Sequence, residues 1–268
     1  MCTTCGCGRS DDGAHRHEHA HDLDHHHPDP PHEHAQIDRQ TRLIQLEQDV
    51  LAQNDRAAAR NRAYLAARGV LTLNLMSAPG SGKTSLLERT LRDLAGEAPM
   101  AVIEGDQATR RDADRIRATG CRALQINTGT GCHLEAESLA EAIAELAPEP
   151  DSLLFIENVG NLVCPALFDL GERTRVVLAS VTEGDDKPEK YPYMFHDAHV
   201  CVLNKIDLLP HVPFDPARFR AEALRLNPKL RIFELSALRG DGLEAWYAWL
   251  REARAQTLRG SSSRPSPG

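Results

Sequence analysis

The chain has 268 residues, 41% hydrophobic and 26% charged, with a formal net charge of -8 at pH 7. A negative balance of that size excludes a dedicated nucleic-acid binder or a protein held on an anionic membrane surface. No segment approaches the run of about 18 apolar residues that a membrane span needs, and no apolar run precedes a cleavage site, so a cytoplasmic protein is expected.

Residues 1–8 are a cysteine-glycine head, and residues 9–36 are a tract of His, Asp and Pro that holds nine of the chain's 13 histidines. Large apolar side chains are almost missing there, so residues 1–36 are expected to be a disordered, metal-binding extension. Residues 37–69 turn helical in pattern, with Leu43, Ile44, Leu46, Val50 and Leu51 among charges and good helix formers. One or two helices docking on the main domain are expected, ended by Gly69.

Residues 70–258 form the expected main domain, large enough to be stable without disulfides. Short apolar runs at 70–76, 100–104, 123–127, 153–157, 176–181, 199–204 and 231–236 read as strands. Helix-like stretches at 83–95, 110–119, 134–147, 215–226 and 242–256 lie between most of them. Strands apolar throughout and alternating with helices predict an α/β fold with a doubly wound, mainly parallel sheet. Residues 259–268, rich in Ser, Pro and Gly, read as a disordered tail.

Ser77-Ala78-Pro79-Gly80-Ser81-Gly82-Lys83-Thr84 follows a strand and opens a helix, the context of a P-loop. Glycines let successive backbone N–H groups of Gly80, Ser81, Gly82, Lys83, Thr84 and Ser85 point at phosphate oxygens. The helix dipole adds to this, Lys83 reaches the terminal phosphates, and the Thr84 hydroxyl is a magnesium ligand. Ser77 stands where the usual pattern has its first glycine.

Asn204-Lys205-Ile206-Asp207 follows a later strand. The Asp207 carboxylate can accept from both N1–H and the exocyclic amine of guanine, a donor pair adenine lacks. The Lys205 stem can cover the ring. Ser236-Ala237-Leu238, after the next strand, completes the set of loops that small GTPases place around the base. Guanine nucleotide, GTP or GDP, is therefore expected. Two further segments put carboxylates at the C-terminal ends of strands, where ligands bind in open α/β sheets. These are Glu104-Gly105-Asp106-Gln107 and Glu157-Asn158-Val159-Gly160-Asn161. The second is similar to the Asp-x-x-Gly switch of GTPases, with the Gly160 N–H facing the γ-phosphate. Lys83, Asp106 and Glu157 are the expected catalytic residues. Either carboxylate could serve magnesium, with Asp106 taken as its ligand.

Seven cysteines, an odd number, without a secretory signal read as reduced thiols available to metals. Cys2, Cys5 and Cys7 with the α-amine give an N/S donor set that suits planar nickel, with tetrahedral zinc as the competitor. The histidine tract suits several exchangeable ions. Cys132-His133 follows a Thr-Gly-Thr-Gly loop, and neighbouring side chains cannot easily both turn into one packing position of a core. Cys164 comes four residues after Gly160. Either cysteine alone reads equally as a buried core thiol. A metal bound at Cys164, however, would feel the nucleotide state.

Taken together, the Cys-x-x-Cys-x-Cys head, the His-rich tract, the P-loop, Glu104–Gln107, Cys132-His133-Leu134, the stretch from Glu157 to Pro165 and the Asn204–Asp207 loop resemble the HypB family. These are nickel-incorporation GTPases of hydrogenase maturation. The likeness covers nearly the whole chain and extends to Ser77. Residues 182–188 are also similar, although Glu189 replaces an expected apolar residue at the surface.

The resemblance implies a SIMIBI-like GTPase fold and hydrolysis of GTP to GDP and phosphate. It also implies nickel delivery, through a HypA-type co-chaperone, to a nickel-iron hydrogenase large-subunit precursor. A GTP-dependent homodimer carrying the Cys132, His133 and Cys164 site follows from it as well, and the mechanism expected is ordering of both switch segments by GTP and magnesium. A urease-type accessory GTPase is the near alternative, but it lacks the cysteine head. A nickel store with a vestigial GTPase is the other.

Overall fold

In the computed structural model the described residues are 32–106, 111–129 and 131–262. The chain divides into residues 1–50 and 51–268. Helix α1, His32–Ala67, begins five residues before the expected boundary. The last proline before it is Pro31, and nothing from His32 onward breaks a helix. From Leu51 on, α1 buries Ala57, Ala58 and Leu65 together with two asparagines, Asn54 and Asn61.

The sheet strands are β1 Leu71–Ser77, β2 Met100–Asp106, β3 Arg122–Asn127, β4 Leu153–Glu157, β5 Thr174–Ser180, β6 Val200–Asn204 and β7 Arg231–Glu234. Their order is β3-β2-β4-β1-β5-β6-β7. Every pairing is parallel, which sharpens the expected mainly parallel sheet. Parallel neighbours need crossovers, supplied here in part by α2 Lys83–Asp93, α3 Arg111–Arg117, α4 Ala136–Leu146 and α8 Pro216–Leu226, while α9 Leu243–Ser262 follows the last strand. Three short helices, α5 Cys164–Leu167, α6 Lys187–Lys190 and α7 Pro192–His196, were not expected. At four or five residues they carry too little periodicity to be read. Helix α9 runs through Gly260 to Ser262, past the expected start of the tail.

Alternation along each strand sends side chains to opposite faces. On one face Leu71, Leu73, Leu75, Phe155 and Val176 pack against Leu86, Leu91, Trp246 and Leu250 of α2 and α9. On the other face there are two apolar clusters. One joins Met76, Val177, Leu203 and Phe219, and the other joins Ile103, Leu154, Ile156, Leu134 and Leu139. Each such fully buried side chain contributes about 1.5–3 kcal/mol of burial.

Buried Asn74 on β1 lies on that second face. It donates to Glu172 (3.3 Å) and accepts from Asn158 (3.2 Å), and Arg175 in turn donates to Glu172 (2.8 Å). Burying these polar groups is tolerable because they are paired with one another. The order of the strands puts the chain reversal beside β1, where loops after β1 and β4 diverge and open a crevice.

Candidate nucleotide and metal site

The loop after β1 curls around a cavity of about 460 Å³ lined by Ser77 to Ser85, Glu104, Gly105, Glu157, Asn158, Gly160 and Lys205. Gly82 has φ +93°, and a Cβ there would lie 2.5 Å from the Asn204 amide nitrogen. Only glycine permits both the left-handed backbone and that approach. Helix α2 starts at Lys83, so its N-terminal N–H groups face the cavity.

Lys83 Nζ donates to Glu157 Oε1 at 2.9 Å, and the Thr84 hydroxyl donates to the same oxygen at 2.6 Å. The other Glu157 oxygen is buried with no hydrogen-bond partner among the described residues. Gly160 packs against the P-loop, since a Cβ there would meet Pro79 at 3.2 Å. Asp106 ends β2, but its side chain lies outside the described residues.

The loops after β6 and β7 meet at Asn204, whose side chain is buried. Its Nδ2 donates to Ser81 O (3.0 Å), and its Oδ1 accepts from Lys205 N (2.8 Å) and Ala237 N (3.1 Å). Lys205 sits at φ +62° and lays its Nζ on Gly80 O at 2.7 Å. Asp207, Ser236, Ala237 and the largely exposed Leu238 line a second cavity of about 460 Å³, continuous in lining residues with the first through Gly82, Ser85, Arg115 and Lys205. Ser236 accepts from Arg239 N at 3.0 Å, which shapes that loop.

The internal donors also come together. Cys132 Sγ lies 2.9 Å from Cys164 Sγ and 3.6 Å from His133 Nδ1. All three donor atoms lie within 4.8 Å of one another, which makes a compact group of two sulfurs and one nitrogen. A tight turn, Gly131 N to Thr128 O at 2.8 Å, brings Cys132 and His133 round to the same side. The His133 ring stacks on Phe168 at 3.9 Å. Burial, partly opposed by Glu135, lowers the His133 pKa and so favours the neutral imidazole, the form that can bind a metal. Cys164 is the buried first residue of α5, reached from Glu157 through the loop that holds Gly160.

Four features were missed by sequence reasoning. Glu104 is buried and pairs in register with Glu157, so both carboxylates line the P-loop cavity. Ser81 donates to Glu183 at 2.5 Å, so the segment 182–188 supports the P-loop. Arg115 lines both cavities and forks onto Glu88. Asn158 holds Leu134 N through its Oδ1 at 3.3 Å. Of these, Glu104, Asn158 and Glu183 lay in stretches already marked by family likeness, and Arg115 did not. Glu189 is exposed and faces Arg218 at 3.6 Å, a surface contact as expected. Cys2, Cys5, Cys7 and most of the histidine tract lie outside the described residues.

The model of the CobW/HypB/UreG nucleotide-binding domain matches residues 71–234. Over 217 residues the chain is 58% identical to hydrogenase maturation factor HypB of Rhizobium leguminosarum bv. viciae, spanning 81% of this chain and 73% of that one. The chain belongs to the HypB family. The likeness to the Escherichia coli (strain K12) factor is 54% over 221 residues, 82% of this chain and 76% of that one.

Among solved structures, HypB from Archaeoglobus fulgidus matches with a TM-score of 0.72 at 42% identity, covering 76% of this chain and 100% of that one. HypB from Helicobacter pylori in complex with nickel gives 0.71 at 37%, covering 81% and 99%. A P-loop GTPase fold, expected from the motifs, is thus the fold of this family member. Among the described residues no helix is long and apolar enough to cross a membrane.

Proposed function

We propose that the chain is a GTP-hydrolysing nickel metallochaperone that helps insert nickel into nickel-iron hydrogenase during maturation. The observation that carries this reading is the position of Cys164. It stands seven residues after Glu157, on the same loop that leaves the phosphate cavity. A protein that only stored metal would have no need to build a thiolate site on a nucleotide switch.

Guanine binds against Asp207, under the Lys205 stem, with Ser236, Ala237 and Leu238 closing the pocket. The phosphates lie in the P-loop, where Lys83 leaves Glu157 for the more highly charged phosphate oxygens. The Thr84 hydroxyl and the unpaired, buried Glu157 oxygen are hard oxygen donors that fit magnesium, with Asp106 on the neighbouring strand end. When bound, magnesium supplies charge neutralisation for phosphoryl transfer. Glu157 and Asp106 then orient the attacking water, and the Gly160 N–H faces the γ-phosphate.

Nickel is the cargo. Two thiolates and one imidazole make a donor set suited to nickel, with zinc as the competitor, and they leave a coordination position open for transfer. Residues 1–36, with Cys2, Cys5, Cys7 and the histidines, hold further metal. GTP favours a homodimer across the internal site. A HypA-type co-chaperone and the hydrogenase large-subunit precursor are the expected partners.

The experiment is a competition titration of nickel on a Cys2/Cys5/Cys7→Ala background, once with GDP and once with a non-hydrolysable GTP analogue. Affinities should differ by roughly 5–150-fold, the usual range for allosteric coupling. Superimposed titrations would return Cys164 to the role of a core cysteine. Lys83→Ala should abolish GTP turnover in the same preparation, and full turnover in that variant would refute the P-loop assignment.

A further inference from the structure

Two contacts single out Leu134, the residue next to the donor His133. Its backbone N–H is held by Asn158 Oδ1 at 3.3 Å, and Asn158 directly follows Glu157. Its side chain lies over Gly105, so close that a Cβ on Gly105 would come within 2.7 Å of Leu134 Cγ and Cδ2. Gly105 stands between Glu104 and Asp106 at the end of β2. Leu134 is therefore touched by the ends of both strands that carry the phosphate-side carboxylates.

The chain on the far side of Leu134 is fixed. Ala136 N donates to Asn54 Oδ1 at 2.9 Å, and Ala136 O accepts from Asn61 Nδ2 at 2.8 Å. Asn54 and Asn61 belong to α1, and both are buried. Ala136 is also the first residue of α4, a helix that packs on the sheet through Leu139 and Ile143. A displacement of Leu134 cannot pass into α4 without breaking these bonds. It passes the other way, into His133 and Cys132, which are held by a loop turn and the ring stack on Phe168.

We infer that Leu134 is the positioning residue that converts movement of the β2 and β4 strand ends into movement of the Cys132–His133 half of the metal site. Cys164 rides on the β4 loop, so the two halves of the donor set respond to the phosphates by separate routes. The site is thus opened or closed as a pincer, and Leu134 is the pivot of one arm. The inference rests on reading Cys132, His133 and Cys164 as a nickel site. It does not require that GTP be hydrolysed.

The test uses the nucleotide-free full chain with Cys2, Cys5 and Cys7 replaced by alanine. Nickel alone is titrated, and the thiolate-to-nickel charge-transfer absorption is followed, to which the histidine tract does not contribute. Gly105→Ala adds the methyl that drives against Leu134 and should change nickel affinity. Adding Leu134→Ala makes room for that methyl and should restore the affinity. Contacting residues couple over roughly a 2- to 150-fold range, so the rescue should fall within it.

If Gly105→Ala leaves the affinity unchanged, or if Leu134→Ala fails to rescue it, the pivot is refuted while the nickel site stands. If the parent chain gives no thiolate-to-nickel absorption, both readings fall together. If the rescue is seen but GDP and GTP analogue give equal nickel affinity in the parent, the pivot stands and gating by nucleotide does not. Should Leu134→Ala fail to fold, Leu134→Val, which loses the δ carbons and can turn its two γ carbons off the position that Leu134 Cγ holds, carries the same cycle.

Discussion

Replacing Glu157 by glutamine removes one charge from a buried ion pair and leaves its shape intact. The Lys83 and Glu157 side chains are only 12% and 3% exposed, and they meet at 2.9 Å. Breaking a buried pair by removing one partner costs about 3–5 kcal/mol, because the remaining charge is left uncompensated. The glutamine carbonyl can still accept from Thr84 or Lys83, so the lower end, about 3 kcal/mol, is expected in the nucleotide-free protein. For a folded unit of this size each kcal/mol moves the unfolding midpoint by roughly 2–4 °C, which gives a fall of about 6–12 °C. Saturating GDP without added magnesium changes the outcome, because its phosphates supply Lys83 with the missing anion. The deficit should then narrow. Thermal unfolding of wild type and Glu157→Gln, each with and without GDP, checks this. An equal deficit in both states would mean that Lys83 does not move from Glu157 to the phosphates, and the exchange described above would be wrong.

Two other outcomes follow from the same geometry. Asp207→Asn should weaken GTP binding by about 1–3 kcal/mol, because a donor now faces the guanine donors, and it should favour xanthine nucleotide; competition binding with the two triphosphates reads this directly. Burial pushes the Cys121 thiol up to about 11 and raises that of Cys201 further, so at pH 8 both stay protonated and should resist iodoacetamide in the folded protein. Rapid labelling of Cys121, located by peptide mass mapping, would show that the β3 edge opens.

Much of the fold was legible because its strands are short, apolar and regularly spaced between amphipathic helices. All seven strands lie within about two residues of their expected spans, an agreement typical of strongly patterned elements. The P-loop and the base-side loops were legible as well, since each is a contiguous run whose glycine, lysine or carboxylate has a local reason. What stayed hidden is contact between distant parts of the chain. Glu157 and Lys83 are 74 residues apart, and nothing in either segment announces their pairing. Asn158 looked like a spacer inside a switch motif, yet its amide ties β1, β4 and the Cys132–His133 loop together. The convergence of Cys132 and Cys164 depends on a turn at Thr128–Gly131 and on where β4 lies in the sheet, which motif spacing cannot report. Helix α1 began early because the histidine tract ends in residues that accept a helix as readily as a coil.

The Asn204 side chain joins the P-loop, its own loop and the Ala237 loop through three hydrogen bonds. That amide behaves as a rivet through three layers. A ligand entering a riveted pocket has no loop entropy to remove on the base side, so selectivity there is a matter of fit at the first encounter. On the phosphate side the Lys83 and Thr84 bonds converge on Glu157, and that carboxylate and lysine would trade partners as phosphates enter. In the proposed function, one half of the pocket would read which nucleotide has arrived, and the other half how many phosphates it still carries. Exchange of GDP for GTP would then rearrange the second half while the first keeps its shape throughout.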